Sequence, residues 1–231
     1  MREDLRRERL VRQLQTRGIA HRGVLEAMRL IPRERFVDEA LRGKAYSDVA
    51  LPIGEKQTIS QPWIVARMTE LVEPDDTGRV LEIGTGSGYH AAVLSRVFEQ
   101  VYSVERLPAL SARARATVRS LGIENVHFKI FDGSYGWSEF APYRAIVVTA
   151  AVPEVPTPLL QQLENGGCLV LPLGDASEKE ESQDQVLLLI RKRDGQIDRV
   201  EHGPCRFVPL VGRFGHAGAR APEASPSRDR P

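Results

Sequence analysis

Three glycines at alternate positions, Gly84, Gly86 and Gly88, follow directly on the mostly apolar run Val80-Leu81-Glu82-Ile83, and an acid, Glu105, closes the next such run, Val101-Tyr102-Ser103-Val104. Glycine has no Cβ and adopts left-handed backbone freely, so a chain built this way reverses sharply and lets a ligand lie against bare peptide groups. A carboxylate about twenty residues beyond the first glycine of such a loop can accept both hydroxyls of a ribose. The chemistry implied is retention of a cofactor with an adenosine part. Thr85 and Ser87 sit between the glycines and count with them as cofactor contacts, although Ser87 can equally cap the helix that follows.

The third glycine selects among adenosine cofactors. The dinucleotide fingerprint G-x-G-x-x-G needs a glycine at position 89, where helix and pyrophosphate pack closely, and this chain has Tyr89 there. The spacing G-x-G-x-G suits a ligand without a pyrophosphate and favours S-adenosylmethionine over NAD. A structural turn with incidental glycines is the remaining alternative.

The elements that must hold these residues follow from periodicity. Val80 to Ile83 and Val101 to Glu105 read as buried parallel strands, with helical spacing from Ser87 to Phe98 between them. Helix is expected from Leu107 to Leu121, closed by Gly122, and again from Pro156 to Leu163; strands are expected at Val126 to Ile130, Ala145 to Thr149 and Cys168 to Pro172. Asp194-Gly195 between Gln185 to Lys192 and Gln196 to Glu201 is a hairpin signal, and Arg206 to Val211 reads as a further strand. The prediction is an α/β fold: a doubly wound, mostly parallel, Rossmann-like sheet with an antiparallel C-terminal hairpin and an N-terminal helical extension.

Upstream, residues up to about Pro52 read as two helices and a connection, with Gly43 to Pro52 as loop, so residues 1–56 are expected to pack on a catalytic domain of 57–211. Ile64, Val65, Met68, Leu71 and Val72 fall at helical spacing, which puts Ser60 at or just before a helix N-terminus. Gly174 to Asp184 reads as an acidic loop. Residues 212–231 are dominated by Gly, Ala, Pro, Ser and Arg, and disorder is expected there.

With 231 residues, 42% hydrophobic, the chain can bury one core with appendages, and a net charge of +1 gives no argument for nucleic acid or membrane as partner. Arg2 to Arg17 is arginine-rich, but interleaved acids and the stripe Leu5, Leu10, Val11, Leu14 favour an amphipathic helix over an RNA-binding arm. Cys168 and Cys205 stand alone in apolar surroundings, as reduced core residues would, and no ligand spacing suggests a metal. No signal-peptide pattern opens the sequence and no apolar run approaches the roughly 20 residues of a membrane span, so a soluble cytoplasmic protein is expected. His90, His127 and His202 show no triad or metal arrangement and read as packing or surface residues.

Four segments together resemble a known family. Gly43-Lys44-Ala45-Tyr46-Ser47-Asp48-Val49-Ala50-Leu51-Pro52-Ile53-Gly54, Thr58-Ile59-Ser60-Gln61-Pro62, the glycine loop, and Ala141-Pro142-Tyr143 leading to Ala150-Ala151-Val152-Pro153 are similar to the protein-L-isoaspartate (D-aspartate) O-methyltransferases, from about residue 10 to about residue 210. The resemblance implies methylation of the free α-carboxylate left when Asn deamidation or Asp isomerisation reroutes the backbone. The ester then closes spontaneously to a succinimide, whose hydrolysis returns part of the material to normal aspartate. It implies Ser60 as the catalytic residue, Gly84, Gly86 and Gly88 lining the cofactor, Glu105 at the ribose, and Asp132 with Gly133 at the adenine. Thr58, Ile59, Val208 and Leu210 are implied for substrate, and isoaspartyl proteins and peptides are the implied partners. Phe131 departs from the family, which usually has a glycine before this Asp.

The implied chemistry constrains the site on its own terms. An α-carboxyl titrates near about 3.5, so the nucleophile is ionised at neutral pH and needs no general base. Attack on a sulfonium neutralises charge, and a neutral hydroxyl that orients the carboxylate fits better than a cationic clamp. Serine before a helix is otherwise a cap, Asp-Gly otherwise a turn, and Asp48 otherwise orders its own loop. Two other functions stay open on sequence: a methyltransferase for a different acceptor, against which the absence of an N-P-P-Y type tetrad argues for amino groups, and a non-catalytic module that binds S-adenosylmethionine and RNA.

Overall fold

The computed structural model describes residues 2–175 and 185–217. The chain opens with helices α1 (Arg2–Thr16) and α2 (Arg22–Leu30). Leu10, Val11 and Leu14 of α1 are buried while Leu5 is exposed, so three of the four stripe residues face the core. Short 3₁₀ turns at Arg33–Phe36 and Glu39–Lys44 follow.

The stretch expected as loop up to Pro52 ends in a strand. β1 (Leu51–Gly54) pairs antiparallel with β2 (Gln57–Ile59). Their turn residues Glu55 and Lys56 both have positive φ, 51° and 56°, as a two-residue hairpin turn of type I′ requires. Neither is a glycine or asparagine, which is why the turn leaves no sequence signal. Helix α3 (Pro62–Leu71) begins three residues later.

The main sheet then forms by alternation: β3 (Arg79–Ile83), α4 (Tyr89–Leu94), β4 (Gln100–Glu105), α5 (Pro108–Ser120), β5 (Val126–Ile130), β6 (Tyr143–Val148), α6 (Thr157–Gln162), β7 (Leu163–Leu173), β8 (Val186–Arg193) and β9 (Gln196–Pro204). Spatial order is β5-β4-β3-β6-β7-β8-β9. The five strands from β3 to β7 are mutually parallel, whereas β7, β8 and β9 pair antiparallel. The β8–β9 turn is Asp194-Gly195, with φ of 50° and 79°.

Alternation within each strand feeds two cores. Val80, Val101, Ala145, Val147, Cys168 and Val170 face one side, where Leu10, Leu14, Val24 and Met28 of the N-terminal helices join them. Leu81, Ile83, Tyr102, Ile146, Val148 and Leu171 face the other. The N-terminal helices thus share a core with the sheet.

Four expectations are corrected. The helix after the glycine loop stops at Leu94, shorter than the periodicity suggested. Strand β7 begins at Leu163, directly after α6, and so is longer than Cys168 to Pro172. Arg206 to Val211 is no strand: Ala151 N donates to Val208 O and Leu210 N to Ala151 O, both at 2.8 Å, around one bridge at Pro209. Pro209 has no N–H to extend a ladder. Residues 212–217 are ordered, because His216 N returns to Leu210 O at 2.7 Å and Arg213 N reaches Asp132 Oδ2 at 2.8 Å. The remainder of the expected tail, 218–231, and most of the expected acidic loop, 176–184, lie outside the described residues.

Candidate active site

The strand order reverses between β3 and β6, and a cleft opens there at the carboxyl ends of the strands, where parallel α/β sheets take ligands. It encloses about 930 Å³, open mouth included, and its wall includes Gly84, Thr85, Gly86, Ser87, Glu105, Gly133 and Thr149.

The glycine loop is shaped by close approach. Gly84 has φ of 97°, and a Cβ there would stand 2.4 Å from Thr149 Oγ1. Thr149 Oγ1 in turn donates to the carbonyls of Ile83 and Gly84, tying β6 to the loop. Gly86 N donates to Glu105 Oε2, and Leu107 N to Glu105 Oε1, each at 2.9 Å. A carboxylate offers about four lone pairs, so Glu105 keeps acceptor capacity for a ribose diol. The loop and this acid fit S-adenosylmethionine.

Gly88 also serves helix packing. It is absent from the wall, and with φ of 86° its Cβ position lies 3.0 Å from Ala114 Cβ, so it lets α4 lie against α5. Ser87 lines the cleft and also accepts from Tyr89 N at 3.2 Å. Asp132 too is off the wall: its Oδ1 accepts from Ser134 N and Oγ at 2.9 and 2.7 Å, and its Oδ2 from Arg213 N. Only the neighbouring Gly133 backbone reaches the cleft, because the 212–217 turn claims the Asp132 carboxylate.

Beneath the loop lies a buried polar chain. Ser103 Oγ donates to Glu82 Oε2 at 2.5 Å, and Thr85 Oγ1 stands 2.5 Å from Ser103 Oγ. Glu82 is fully buried, and burial pushes its carboxyl up to about 8, so it is mostly neutral at pH 7. His90, also in the wall, is pushed down to about 3 by burial. Thr69 Oγ1 donates its proton to Val65 O, which leaves His90 Nε2 to donate to Thr69 at 2.9 Å and fixes the neutral tautomer.

Ser60 lies between β2 and α3, half-buried, and its cap reading does not hold. Gln61 is the N-cap of α3 and makes no side-chain cap bond. Trp63 N donates instead to Asp48 Oδ1 at 2.9 Å, while Asp48 Oδ2 accepts from Gln61 Nε2 and pairs with Arg17. Asp48 is therefore the residue that caps α3. Ser60 Oγ has no hydrogen-bond partner among the described residues, and Ser60 lines the cleft, as do Thr58, Ile59, Val208 and Leu210.

An open groove, about 2080 Å³ with open solvent included, adjoins the cleft and runs past Lys56, Trp63, Cys205, Arg206 and Phe207. Gln57, Thr58, Ser60, Thr149, Val208 and Pro209 line both spaces. Sequence reasoning missed Thr149, although its place after a strand beside the glycine-loop strand marks the reversal point. Gln57 carried no signal at all.

A glycine turn after the first parallel strand, an acid ending the second, and a cleft at the reversal of a seven-stranded sheet with an antiparallel edge define the class I methyltransferase fold. The model of the protein-L-isoaspartate (D-aspartate) O-methyltransferase family matches residues 5–215, and the chain belongs to that family. A Geobacter metallireducens protein-L-isoaspartate O-methyltransferase is 50% identical over 214 residues, covering 92% of this chain and 96% of its own. Another from Alkalilimnicola ehrlichii is 51% identical over 207 residues, 89% of this chain and 91% of its own. A solved protein-L-isoaspartate O-methyltransferase superposes with a TM-score of 0.80 at 37% identity, over 90% of this chain and 67% of that one. At 24% identity, a Plasmodium falciparum chain solved in complex with S-adenosyl-L-homocysteine shares the fold, with a TM-score of 0.73 over 89% of this chain and 98% of that one.

Proposed function

We infer that this chain transfers the methyl group of S-adenosylmethionine to the free α-carboxylate of L-isoaspartyl residues in damaged proteins and peptides, with D-aspartyl residues as a second acceptor. The observation that carries this reading is the junction at Ser60, where the cleft lined by the glycine loop and Glu105 meets an open groove that can take an extended peptide. The six residues common to both spaces are all uncharged. That suits a nucleophile that arrives ionised and needs no base.

S-adenosylmethionine supplies an electrophilic methyl group on a sulfonium. Ser60 Oγ, free of other partners among the described residues, donates to the acceptor carboxylate and turns it toward the cleft. Its neutrality matters, since a cation at that point would stabilise the separated charges more than the transition state. Glu105 holds the ribose with its remaining lone pairs, and the Gly84 to Ser87 backbone lies along the cofactor. Gly133 and Asp132 stand at the adenine end, and Leu210 is kept for the substrate side. Thr58, Ile59 and Val208 border the peptide at the junction. We place the activity in the cytoplasm, where Cys168 and Cys205, both free, stay reduced.

The test offers labelled S-adenosylmethionine with two peptides that differ only in Asp against isoAsp. Base-labile label on the isoAsp peptide alone is the expected result; label on both peptides or on neither refutes the acceptor. Ser60→Ala should keep its fold and its S-adenosylhomocysteine affinity but lose most of its transfer, retaining a slow residual turnover that can still be measured. Turnover at the wild-type rate in that variant removes Ser60 from the reaction.

A further inference from the structure

Arg33 is fully buried, 0% exposed, which is rare for a guanidinium. It makes no ion pair among the described residues. Its Nε donates to Ala45 O at 2.9 Å and its Nη2 to Ser60 O at 2.8 Å. Its Cζ lies 4.8 Å from the Tyr89 ring centroid, and Nη1 is buried with no hydrogen-bond partner in good geometry among the described residues, the Tyr89 hydroxyl and the Asp48 carboxylate only partly offsetting the cost of burial. Burying a cation against neutral carbonyls, with one nitrogen unsatisfied, is unfavourable relative to an apolar side chain of similar volume. Packing alone gives no reason to keep an arginine here.

The three groups it touches belong to three segments of the site. Ala45 leads into the loop that carries Asp48, Ser60 stands at the junction of cleft and groove, and Tyr89 follows the glycine loop. From the other side Asp48 holds Gln61 Nε2 and Trp63 N. The peptide group after Ser60 is thus gripped by Arg33 at its carbonyl and by Asp48 one and three residues on. The carbonyl of Ser60 is anchored to the interior, while its hydroxyl has no partner among the described residues and the residue lines the cleft.

We propose that Arg33 is a positioning residue for methyl transfer: it fixes the main chain of Ser60 so that the serine hydroxyl meets the incoming carboxylate. This rests on the reading of Ser60 as the group that orients the acceptor. Arg33 acts through Ser60, so its effect belongs to the transfer step and vanishes when the hydroxyl is gone.

The test is a double-variant cycle on purified full-length protein with Ser60→Ala, Arg33→Met and Arg33→Lys, singly and combined. kcat and KM for an isoaspartyl peptide are measured, with S-adenosylhomocysteine Kd as the control. Arg33→Met should lower kcat roughly 10- to 100-fold with KM and Kd changed less than about 3-fold, and Arg33→Lys should recover part of the loss. On the Ser60→Ala background the same Arg33 change should alter kcat by less than about 3-fold. An equal fold-loss on both backgrounds, or a Kd loss as large as the kcat loss, overturns the proposal and leaves Arg33 a structural residue. Wild-type turnover in Ser60→Ala alone refutes the Ser60 reading instead, a separate result. Should Arg33→Met not fold by circular dichroism, Arg33→Lys and its Ser60→Ala double carry the same comparison.

Discussion

Replacing Glu82 by Gln should flatten part of the pH dependence of stability. Glu82 lies under the glycine loop, fully buried, with Oε2 bonded to Ser103 and Oε1 without a hydrogen-bond partner among the described residues. Burial raises its carboxyl from 4.5 to about 8 in the folded state. A group raised in this way contributes its full stability below pH 4.5, and loses it as pH climbs toward 8, because the unfolded chain ionises first. Taken whole, that span corresponds to roughly 5 kcal/mol, and water penetration around the charged form reduces it, so a loss of a few kcal/mol is expected. Gln is neutral throughout and lacks this term. It brings an NH₂ that the pocket cannot fully satisfy, a constant cost of about 1–3 kcal/mol that does not vary with pH. The diagnostic quantity is therefore the slope. Denaturant unfolding of both proteins at intervals from pH 4.5 to 8.5 gives the difference, wild type minus variant, in which the opposite contribution of neutral His90 cancels. The difference should fall steadily across this range and level off above pH 8. Parallel curves would show that Glu82 is ionised in the folded protein, and would refute the buried neutral acid.

Two further perturbations check the site. Glu105→Gln leaves one of the Gly86 and Leu107 amides without its carboxylate acceptor and removes one ribose acceptor; S-adenosylhomocysteine Kd by calorimetry should rise about 10- to 150-fold, as for loss of about 1.5–3 kcal/mol of charged hydrogen bonding, and a change under twofold would exclude the ribose role. Gly88→Ala forces a side chain into left-handed backbone and to 3.0 Å from Ala114 Cβ; a loss of about 1–3 kcal/mol in unfolding free energy is expected, and wild-type stability would show that α4 and α5 can part without cost.

Periodicity located the main-sheet strands, because a strand buried on both faces must be apolar almost throughout and its neighbours must be helices. The β8–β9 hairpin was equally plain, since Asp194-Gly195 meets the positive φ its turn demands. The β1–β2 hairpin was not, because Glu55 and Lys56 hold the same backbone without the residue types that advertise it. That hairpin carries Thr58, Ile59 and Ser60 to the cleft, so the acceptor side of the site came from resemblance and not from pattern.

Local sequence determined where the chain can reverse, where an acid follows it, and hence which class of cofactor the loop suits, since these depend on backbone freedom and spacing within one βαβ unit. It could not determine which polar groups face the ligand. Gly88 and Asp132 match the expected motif and also make a close helix approach and a bond to the 212–217 turn, while Asp48 takes the capping role that Ser60 was free to have. Hydrogen-bond partners distant in sequence made those choices: Arg213 for Asp132, Trp63 for Asp48, and Arg33 for the carbonyl of Ser60. A side chain has few donors and acceptors, and whichever partner folding brings within 3 Å or so decides its role.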